Sequence, residues 1–226
     1  MPQPVLVFDM DGVLVDVSES YREAICQTVR NFAGRDISRE AIQDLKNQSG
    51  WNNDWEVSDR LIRDLGVEVN YGEVVAYFQK VFFGADGSAG LIQRERWVAQ
   101  PGVLERLSGR YRLAIFTGRI RQEVTFSLDR FAAGLRFDPI VTTDDVTRSK
   151  PAPDGLLRIA DLAPSSNLWY VGDAVDDARC ARAAGATFIG VAAPSNPRAH
   201  ELARLLGQEG ALAVLEDINQ LEVVLP

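Results

Sequence analysis

Two aspartates separated by one residue follow the first apolar stretch of the chain, in the sequence VLVFDMDGVLVD. The apolar residues Val5–Phe8 predict a buried strand, and Asp9 and Asp11 come directly after it. Ionised carboxylates that lie close together repel each other, and they lose solvation when they leave water. A divalent cation relieves such repulsion. The pair therefore predicts a site that needs carboxylates rather than an ordinary turn.

Polar residues also follow three other apolar stretches, in the sequences FTGR, TTDDVTRSKPAPD and YVGDAVDD. In an open parallel sheet, ligands bind beyond the carboxyl ends of the strands. We therefore expect these residues to meet Asp9 and Asp11 at one edge of a sheet. They are Thr117, Gly118, Lys150, Asp173, Asp176 and Asp177.

The chemistry of this set is that of phosphoryl transfer. Asp9, Asp11 and Asp173 offer the hard oxygen ligands that Mg²⁺ prefers. Thr117 supplies a hydroxyl, Gly118 an unobstructed backbone amide, and Lys150 a positive charge. A metal ion, a hydroxyl, an amide and a lysine are the groups that a transferring phosphoryl group needs around its oxygens.

Short apolar runs alternate with helical segments and predict the fold that positions these residues. The runs are continuous rather than alternating, which is typical of strands buried on both faces of a parallel sheet. This order predicts an α/β fold, a doubly wound Rossmann-like parallel sheet. The predicted strands are Val5–Phe8, Leu113–Phe116, Pro139–Thr142, Leu168–Val171, Thr187–Val191 and Ala211–Val214. The predicted helices between them are Gln122–Ala132, Asp154–Leu162, Asp176–Ala184 and Pro197–Leu206.

Residues 17–93 interrupt this alternation with helical periodicity alone. Ser20 and Glu23 have the spacing of a capping box at the start of the first helix. The sequence GADGSAG near the end of the segment is either a hinge or an ordinary loop. We therefore predict a core of residues 1–16 and 94–226 with an inserted helical cap of residues 17–93. The cap helices are predicted at Tyr21–Phe32, Ser38–Asn47, Trp55–Leu65 and Tyr71–Phe83.

Composition narrows the function further. The net charge of −8 over 226 residues argues against a nucleic-acid-binding surface. No apolar run reaches the length of a membrane span, and the first residues do not resemble a signal peptide. Cys26 and Cys180 lie far apart and are expected to be buried thiols. A small phosphorylated metabolite is the expected partner and the cytoplasm the expected location.

The sequences DMDGVLVD, FTGR, SKPAPD and GDAVDDARCARAAG resemble, in order and spacing, the four motifs of the haloacid dehalogenase-like (HAD) hydrolase superfamily. The helical segment stands where that family carries a cap, as in its phosphatases of the phosphoglycolate phosphatase and β-phosphoglucomutase-like subfamily. The resemblance implies that Asp9 is a nucleophile that forms an aspartyl-phosphate. It implies that Asp11 protonates the leaving oxygen and then activates water, and that its backbone carbonyl contacts the metal.

The resemblance also implies roles for the later motifs. Asp173 would be a direct Mg²⁺ ligand, and Asp177 would orient bound water or Lys150. Asp176 is left between such a supporting role and a favourable place at a helix N-terminus. Thr117 and Gly118 would hold the phosphate and Lys150 would balance its charge, whereas Arg119 and Arg148 either face phosphate or are solvated.

Several reactions occur on this fold, so the resemblance alone does not fix the activity. Asp11 argues against a dehalogenase, and a cap without histidine argues against a mutase. A phosphonate hydrolase would need a cap lysine, but Lys46 is expected at an exposed helix end. A phosphoaspartate signalling or binding module would be shorter and would lack the insert. A Mg²⁺-dependent phosphomonoester phosphatase is the preferred interpretation, with phosphomutase, phosphonate hydrolase and phosphoaspartate module as alternatives.

The cap sequence NQSGWNNDWE is the predicted substrate-recognition segment. Trp51 and Trp55 have the spacing of residues on one helix face. Asn52, Asn53 and Asp54 lie between them and are difficult to explain as core residues. We expect this segment to meet the leaving group of the substrate, with Asp54 suited to a cationic or hydroxyl-bearing group.

Overall fold

The computed structural model describes residues 3–85, 88–163, 165 and 167–226. Six of the strands in these residues form one parallel sheet in the order β5-β4-β1-β6-β7-β8. The α/β fold with a doubly wound Rossmann-like sheet is thereby confirmed. In chain order the strands are β1 (Val5–Phe8), β2 (Val15–Asp16), β3 (Arg96–Trp97), β4 (Arg112–Phe116), β5 (Ile140–Val141), β6 (Leu168–Gly172), β7 (Thr187–Val191) and β8 (Ala213–Leu215).

Strand β1 is central because its side chains are apolar on both faces. Leu6 and Phe8 pack into one hydrophobic cluster, and Val5 and Val7 into the other. Both neighbours of β1, strands β4 and β6, run parallel to it. The carboxyl ends of these three strands, which carry the predicted site residues, therefore lie side by side.

The helices cover both faces of the sheet and form the inserted segment. They are α1 (Tyr21–Ala33), α2 (Arg39–Lys46), α3 (Asp54–Asp64), α4 (Tyr71–Phe83), α5 (Val103–Ser108), α6 (Arg121–Phe131), α7 (Asp154–Leu162), α8 (Val175–Ala184), α9 (Ala199–Gln208) and α10 (Leu221–Val224). Helix α5 was not predicted, because six residues are too few to show a helical period. No described helix is both long enough and apolar enough to cross a membrane.

Helices α1 to α4 form the inserted segment and pack mainly through α1. The ring of Tyr21 on α1 lies 4.2 Å from that of Phe82 and 6.1 Å from that of Phe78, both on α4. The two connections to the sheet run together, because β2 and β3 pair antiparallel with Val15 opposite Trp97. The predicted hinge GADGSAG lies partly outside the described residues, since Asp86 and Gly87 are not among them.

The capping box predicted at Ser20 is wrong. Ser20 does precede α1, but its side chain accepts no hydrogen bond from the helix backbone. Its hydroxyl instead donates to Glu95 Oε1 at 3.4 Å. The Ser20 side chain, which the spacing assigns to the cap of α1, therefore binds the buried carboxylate of Glu95 on the second connection instead.

Candidate active site

Lys150 and two aspartates form the centre of the site. The Lys150 ammonium lies 3.0 Å from Asp9 Oδ1 and 2.8 Å from Asp177 Oδ1, and all three side chains are buried. The aromatic rings of Phe116 and Tyr170 lie 4.9 and 5.4 Å from Lys150 Nζ. Burial alone would lower the pKa of Lys150, but Asp177 and Asp9 raise it well above its ordinary value. The lysine is therefore a fixed positive charge beside Asp9.

Asp9, Asp173 and Asp177 offer carboxylate oxygens that lie within 4.8 Å of one another. Burial raises the pKa of Asp9 to about 7; Lys150 opposes this shift, whereas Asp177 and Asp11 add to it. Burial also raises the pKa of Asp173, together with Asp177 and Asp9. Such a cluster carries more negative charge than Lys150 balances, and its hard oxygen donors fit a divalent cation such as Mg²⁺.

Asp177 contacts Lys150 and accepts three hydrogen bonds of its own. Its Oδ2 accepts hydrogen bonds from the backbone amides of Asp173 and Ala174 at 3.1 and 3.0 Å. Its Oδ1 accepts from the Tyr170 hydroxyl at 2.8 Å and faces Lys150. Both oxygens are thus engaged, which gives Asp177 the geometry of a residue that orients the lysine.

Asp176, which the sequence left between a supporting role and a place at a helix N-terminus, lies in the first turn of α8 and contacts the inserted segment. Its carboxylate accepts a hydrogen bond from the Gly50 amide at 2.9 Å and one from the Ser49 hydroxyl. Asp176 and Asp177 share the first turn of α8, and consecutive helical side chains point about 100° apart. One of them therefore faces Lys150 while the other contacts the inserted segment.

Gly12 provides the space for Asp173, which the sequence interpretation missed. A Cβ atom at Gly12 would lie 1.9 Å from Asp173 Oδ2, and Gly12 has a φ of +72°. A glycine directly after Asp11 and directly before the apolar run Val13–Val15 is the sequence signal that could have suggested it. Only glycine lets the backbone beside Asp11 approach the Asp173 carboxylate this closely.

We expect Gly12→Ala to displace Asp173 and to destabilise the fold by about 2–4 kcal/mol, because it adds an overlap to a left-handed backbone. Urea unfolding measures this effect. Gly34→Ala is the matched control, since Gly34 has a φ of +64° and open space around its Cβ position. The control should lose only about 1 kcal/mol. Equal losses in the two variants would contradict a role for Gly12 beyond its backbone conformation.

Thr117 and Gly118 lie where the chain leaves β4. The Thr117 side chain is buried, and its Oγ1 accepts a hydrogen bond from the Arg119 amide at 3.2 Å. A Cβ atom at Gly118 would lie 2.6 Å from Asn52 Nδ2. The inserted segment therefore approaches the sheet edge at the predicted phosphate-binding amide.

A buried ionic network behind Asp11 was also missed. Arg119 donates from Nε to Asp11 Oδ1 at 2.7 Å and from Nη2 to Glu95 Oε1 at 2.8 Å. Its side chain is fully buried, so it is not solvated, and its guanidinium faces Asp11 and Glu95. Arg148 is exposed and pairs with Asp154. The sequence alone does not show that Arg119 pairs with Asp11 and Glu95, because both carboxylates are distant from it in the chain.

A cavity of about 190 Å³ opens over Asp9, Asp11, Lys150 and Asp173. Tyr21 and Glu123 form part of its wall, and the Tyr21 hydroxyl donates to Glu123 Oε2 at 2.7 Å. Burial raises the pKa of Glu123 to about 7, although the hydrogen bond from Tyr21 opposes it. The inserted segment supplies the rest of the wall, which includes Arg22, Gln43, Lys46, Asn47, Asn52, Asn53, Asp54 and Trp55.

Lys46 lines this cavity, which corrects the expectation of an exposed helix end. Its side chain is only 13% exposed, and its ammonium lies 2.5 Å from Asp54 Oδ1. Arg22 Nη1 lies 3.7 Å from the same oxygen. Two cations therefore already balance the charge of Asp54 through Oδ1, which argues against a cationic leaving group as its partner.

The segment before α3 also differs from the prediction. The helix begins at Asp54, because the Asn53 side chain accepts hydrogen bonds from the amides of Trp55 and Glu56. Trp51 precedes this cap and shares no helix face with Trp55; its ring lies 5.6 Å from the Arg60 guanidinium. Asn52 of the predicted recognition segment lies beside Gly118, since a Cβ atom at Gly118 would lie 2.6 Å from Asn52 Nδ2.

Comparisons with known proteins concern the family and the fold of this chain. A family model described as haloacid dehalogenase-like hydrolase matches residues 6–191. An imidazoleglycerol-phosphate dehydratase of Phytophthora nicotianae is 31% identical over 231 residues, which are 95% of this chain and 50% of that protein. This chain therefore spans half the length of that relative. A phosphoglycolate phosphatase of Pseudomonas fluorescens is 24% identical over 96% of this chain and 78% of its own length.

A solved structure shows the same fold. The crystal structure of a haloacid dehalogenase-like protein from Agrobacterium tumefaciens superposes with a TM-score of 0.74 and 21% sequence identity. The match covers 98% of this chain and 97% of the other. The predicted family is confirmed: the chain belongs to the haloacid dehalogenase-like hydrolases and is an enzyme of their phosphatase type.

Proposed function

We propose that this enzyme is a Mg²⁺-dependent phosphatase that cleaves phosphomonoesters of small metabolites through an aspartyl-phosphate on Asp9. The observation that carries the proposal is the placement of Asp9 beside Lys150 and Asp173, at the floor of a cavity that Asp11 also lines. A nucleophile, a fixed cation, a metal-binding carboxylate and a second carboxyl group for proton transfer thus face one volume.

The proposed metal site consists of the Asp9 and Asp173 carboxylates and the Asp11 backbone carbonyl. Bound Mg²⁺ would neutralise charge on the phosphoryl oxygens. Lys150 would balance the remaining charge of Asp9 and of the phosphoryl group. Thr117 and the Gly118 amide would bind the other phosphoryl oxygens, and Asp177 would hold the lysine in position.

In the proposed reaction an Asp9 carboxylate oxygen attacks phosphorus while the ester P–O bond breaks. Asp11 gives its proton to the departing oxygen, so that the alcohol leaves neutral. Asp11, now ionised, takes a proton from the water that attacks the phosphorus of the aspartyl-phosphate. The Asp9–phosphorus bond breaks, and inorganic phosphate and the free carboxylate are released.

Phosphate release from a panel of phosphomonoesters, with Mg²⁺ and with EDTA, tests this proposal. The two named relatives suggest phosphoglycolate and imidazoleglycerol phosphate for the panel, beside sugar phosphates and a phosphonate. We expect release with Mg²⁺, none with EDTA, and recovery when Mg²⁺ is restored. Transfer of the phosphoryl group to another position of the substrate would indicate a mutase, and cleavage of a P–C bond would indicate a phosphonate hydrolase. A phosphorylated protein that persists would indicate a signalling module. Any of these results without hydrolysis of a phosphomonoester would refute the proposal.

Residues 17–93 are proposed to act as the cap that selects the leaving group, and Asn52 is proposed to contact that group. We expect Asn52→Ala to change the ranking of substrates, with KM raised about 5–30-fold for the preferred one, as for the loss of one polar contact. Steady-state kinetics on the panel measures this change. Asn70→Ala is the control, because Asn70 caps α4 away from the cavity. An unchanged ranking in Asn52→Ala would contradict this role.

A further inference from the structure

Arg119 is a fully buried charged residue beside the reacting groups. Its side chain and that of Glu95 are fully buried, and its guanidinium lies 2.8 Å from Glu95 Oε1. Nη1 donates to the Ser127 hydroxyl at 2.8 Å, and that hydroxyl donates to Glu95 Oε2 at 3.0 Å. The Tyr21 ring centre lies 5.1 Å from the guanidinium carbon. The guanidinium is thus fixed on three sides before it meets Asp11.

The contact with Asp11 is made through one carboxylate oxygen. Arg119 Nε and Nη2 lie 2.7 and 2.5 Å from Asp11 Oδ1. In the described part of the chain no hydrogen bond to Asp11 Oδ2 is found, and the Asp11 side chain is 31% exposed and lines the cavity. One oxygen is therefore anchored, and the other is available to exchange a proton.

Stability alone is a poor reason for such a network. Desolvation of a buried ion pair offsets most of its electrostatic gain, and apolar residues of similar volume often stabilise a fold as well or better. A guanidinium, however, fixes orientation, because its planar N–H groups bind in set directions. A flexible lysine with one nitrogen could not contact Asp11, Glu95 and Ser127 in the same way.

We propose that Arg119 is a positioning residue that aims Asp11 at the leaving oxygen, and that Glu95 in turn fixes Arg119. Glu95 directly precedes β3, where the chain returns from the inserted segment, and the Ser20 hydroxyl of the outgoing connection donates to it. Both connections therefore contact the group that holds Asp11. The inference rests on the proposed function, because it gives Asp11 the proton-transfer role.

Leaving-group dependence provides the test. An alkyl phosphate needs a proton on its departing oxygen, whereas p-nitrophenolate leaves readily without one. In Mg²⁺-loaded enzyme we expect Arg119→Lys and Glu95→Gln to lower kcat/KM for an alkyl phosphate about 10–100-fold, and for p-nitrophenyl phosphate less than about 3-fold. Asp11→Asn should change the ratio in the same direction and by more. Since kcat/KM reports the steps up to phosphoenzyme formation, slow dephosphorylation does not mask the effect.

Two further readouts separate positioning from structure. The rise in melting temperature on adding Mg²⁺ should be kept in both variants, since neither residue belongs to the proposed metal site. Arg112→Lys is the control, because Arg112 forms a partly exposed ion pair with Asp138 at 2.6 Å outside the cavity. It should leave the ratio of the two substrates unchanged.

The outcomes distinguish this inference from the proposed function. Wild-type enzyme that hydrolyses neither ester would refute the function itself. Active wild-type enzyme whose variants lose equal activity on both esters, or none, would refute the positioning role alone. If Arg119→Lys does not fold, Ser127→Ala removes a single contact of the guanidinium, and a substrate ratio like that of wild type would count against the proposal.

Discussion

Replacing Asp9 by asparagine is expected to lower Mg²⁺-dependent phosphate release by a factor on the order of 10⁴ or more, as for the loss of an enzyme nucleophile. An amide cannot form the aspartyl-phosphate, although it fills nearly the same volume beside Lys150. Phosphate release over long incubations with the best substrate of the panel measures the loss. Mass spectrometry of acid-quenched wild-type enzyme should show the added phosphoryl group, which the variant should lack.

In the absence of metal, Asp9→Asn should be at least as stable as the wild-type protein. The pKa of Asp9 is about 7 in the folded protein, against an ordinary value of 3.8. The folded protein thus binds the Asp9 proton more tightly than the unfolded chain does. The stability that this proton contributes is fully present below about pH 4 and is lost as the pH rises through about 7. Urea unfolding in EDTA at pH 8 should therefore give Asp9→Asn an equal or larger free energy of unfolding. Retained activity in a folded variant would exclude Asp9 as the nucleophile.

Replacing Asp173 by asparagine should abolish the stabilisation of the protein by Mg²⁺. For wild-type protein, a ligand at 100 times its Kd adds about 2.7 kcal/mol. In a chain of this size that corresponds to a rise in melting temperature of about 5–11 °C. Thermal unfolding with and without Mg²⁺ measures the shift, and phosphate release should fall with it.

Asp36→Asn is the control for this experiment, because Asp36 is an exposed partner of Arg30 far from the cluster in the chain. It should keep the full Mg²⁺ shift. Burial, Asp177 and Asp9 raise the pKa of Asp173. EDTA-treated wild-type protein should therefore lose stability as the pH rises above 4, and Asp173→Asn should lessen that loss. A full Mg²⁺ shift in Asp173→Asn would show that the metal binds without this carboxylate.

The order of the elements could be predicted from the sequence because it depends on local composition. The apolar run Val5–Phe8 coincides with β1, and Thr187–Val191 with β7. Strands buried on both faces need such runs, and amphipathic helices need a period of about 3.6 residues, so both patterns can be recognised in the sequence without knowing what the element packs against. The same locality placed Asp9, Thr117 and Asp173 at strand ends, and a parallel sheet brings those ends together.

Local patterns failed where a side chain had a choice of partners. Ser20 has capping-box spacing but bonds to Glu95, 75 residues later in the chain. Lys46 ends a helix, yet Asp54 and the cavity wall enclose it. In each case a buried or half-buried carboxylate from another segment offers a stronger interaction than the local backbone or water does.

What the sequence by itself determined is the fold, the family and the chemical character of the strand ends, since these depend on residue types in a fixed order. Only the tertiary structure decided that Asp177 faces Lys150 while Asp176 binds the inserted segment, and that Arg119 joins Asp11 to Glu95. Hydrogen bonds and ion pairs depend on directions and distances of a few ångströms, and those are set by how distant segments pack.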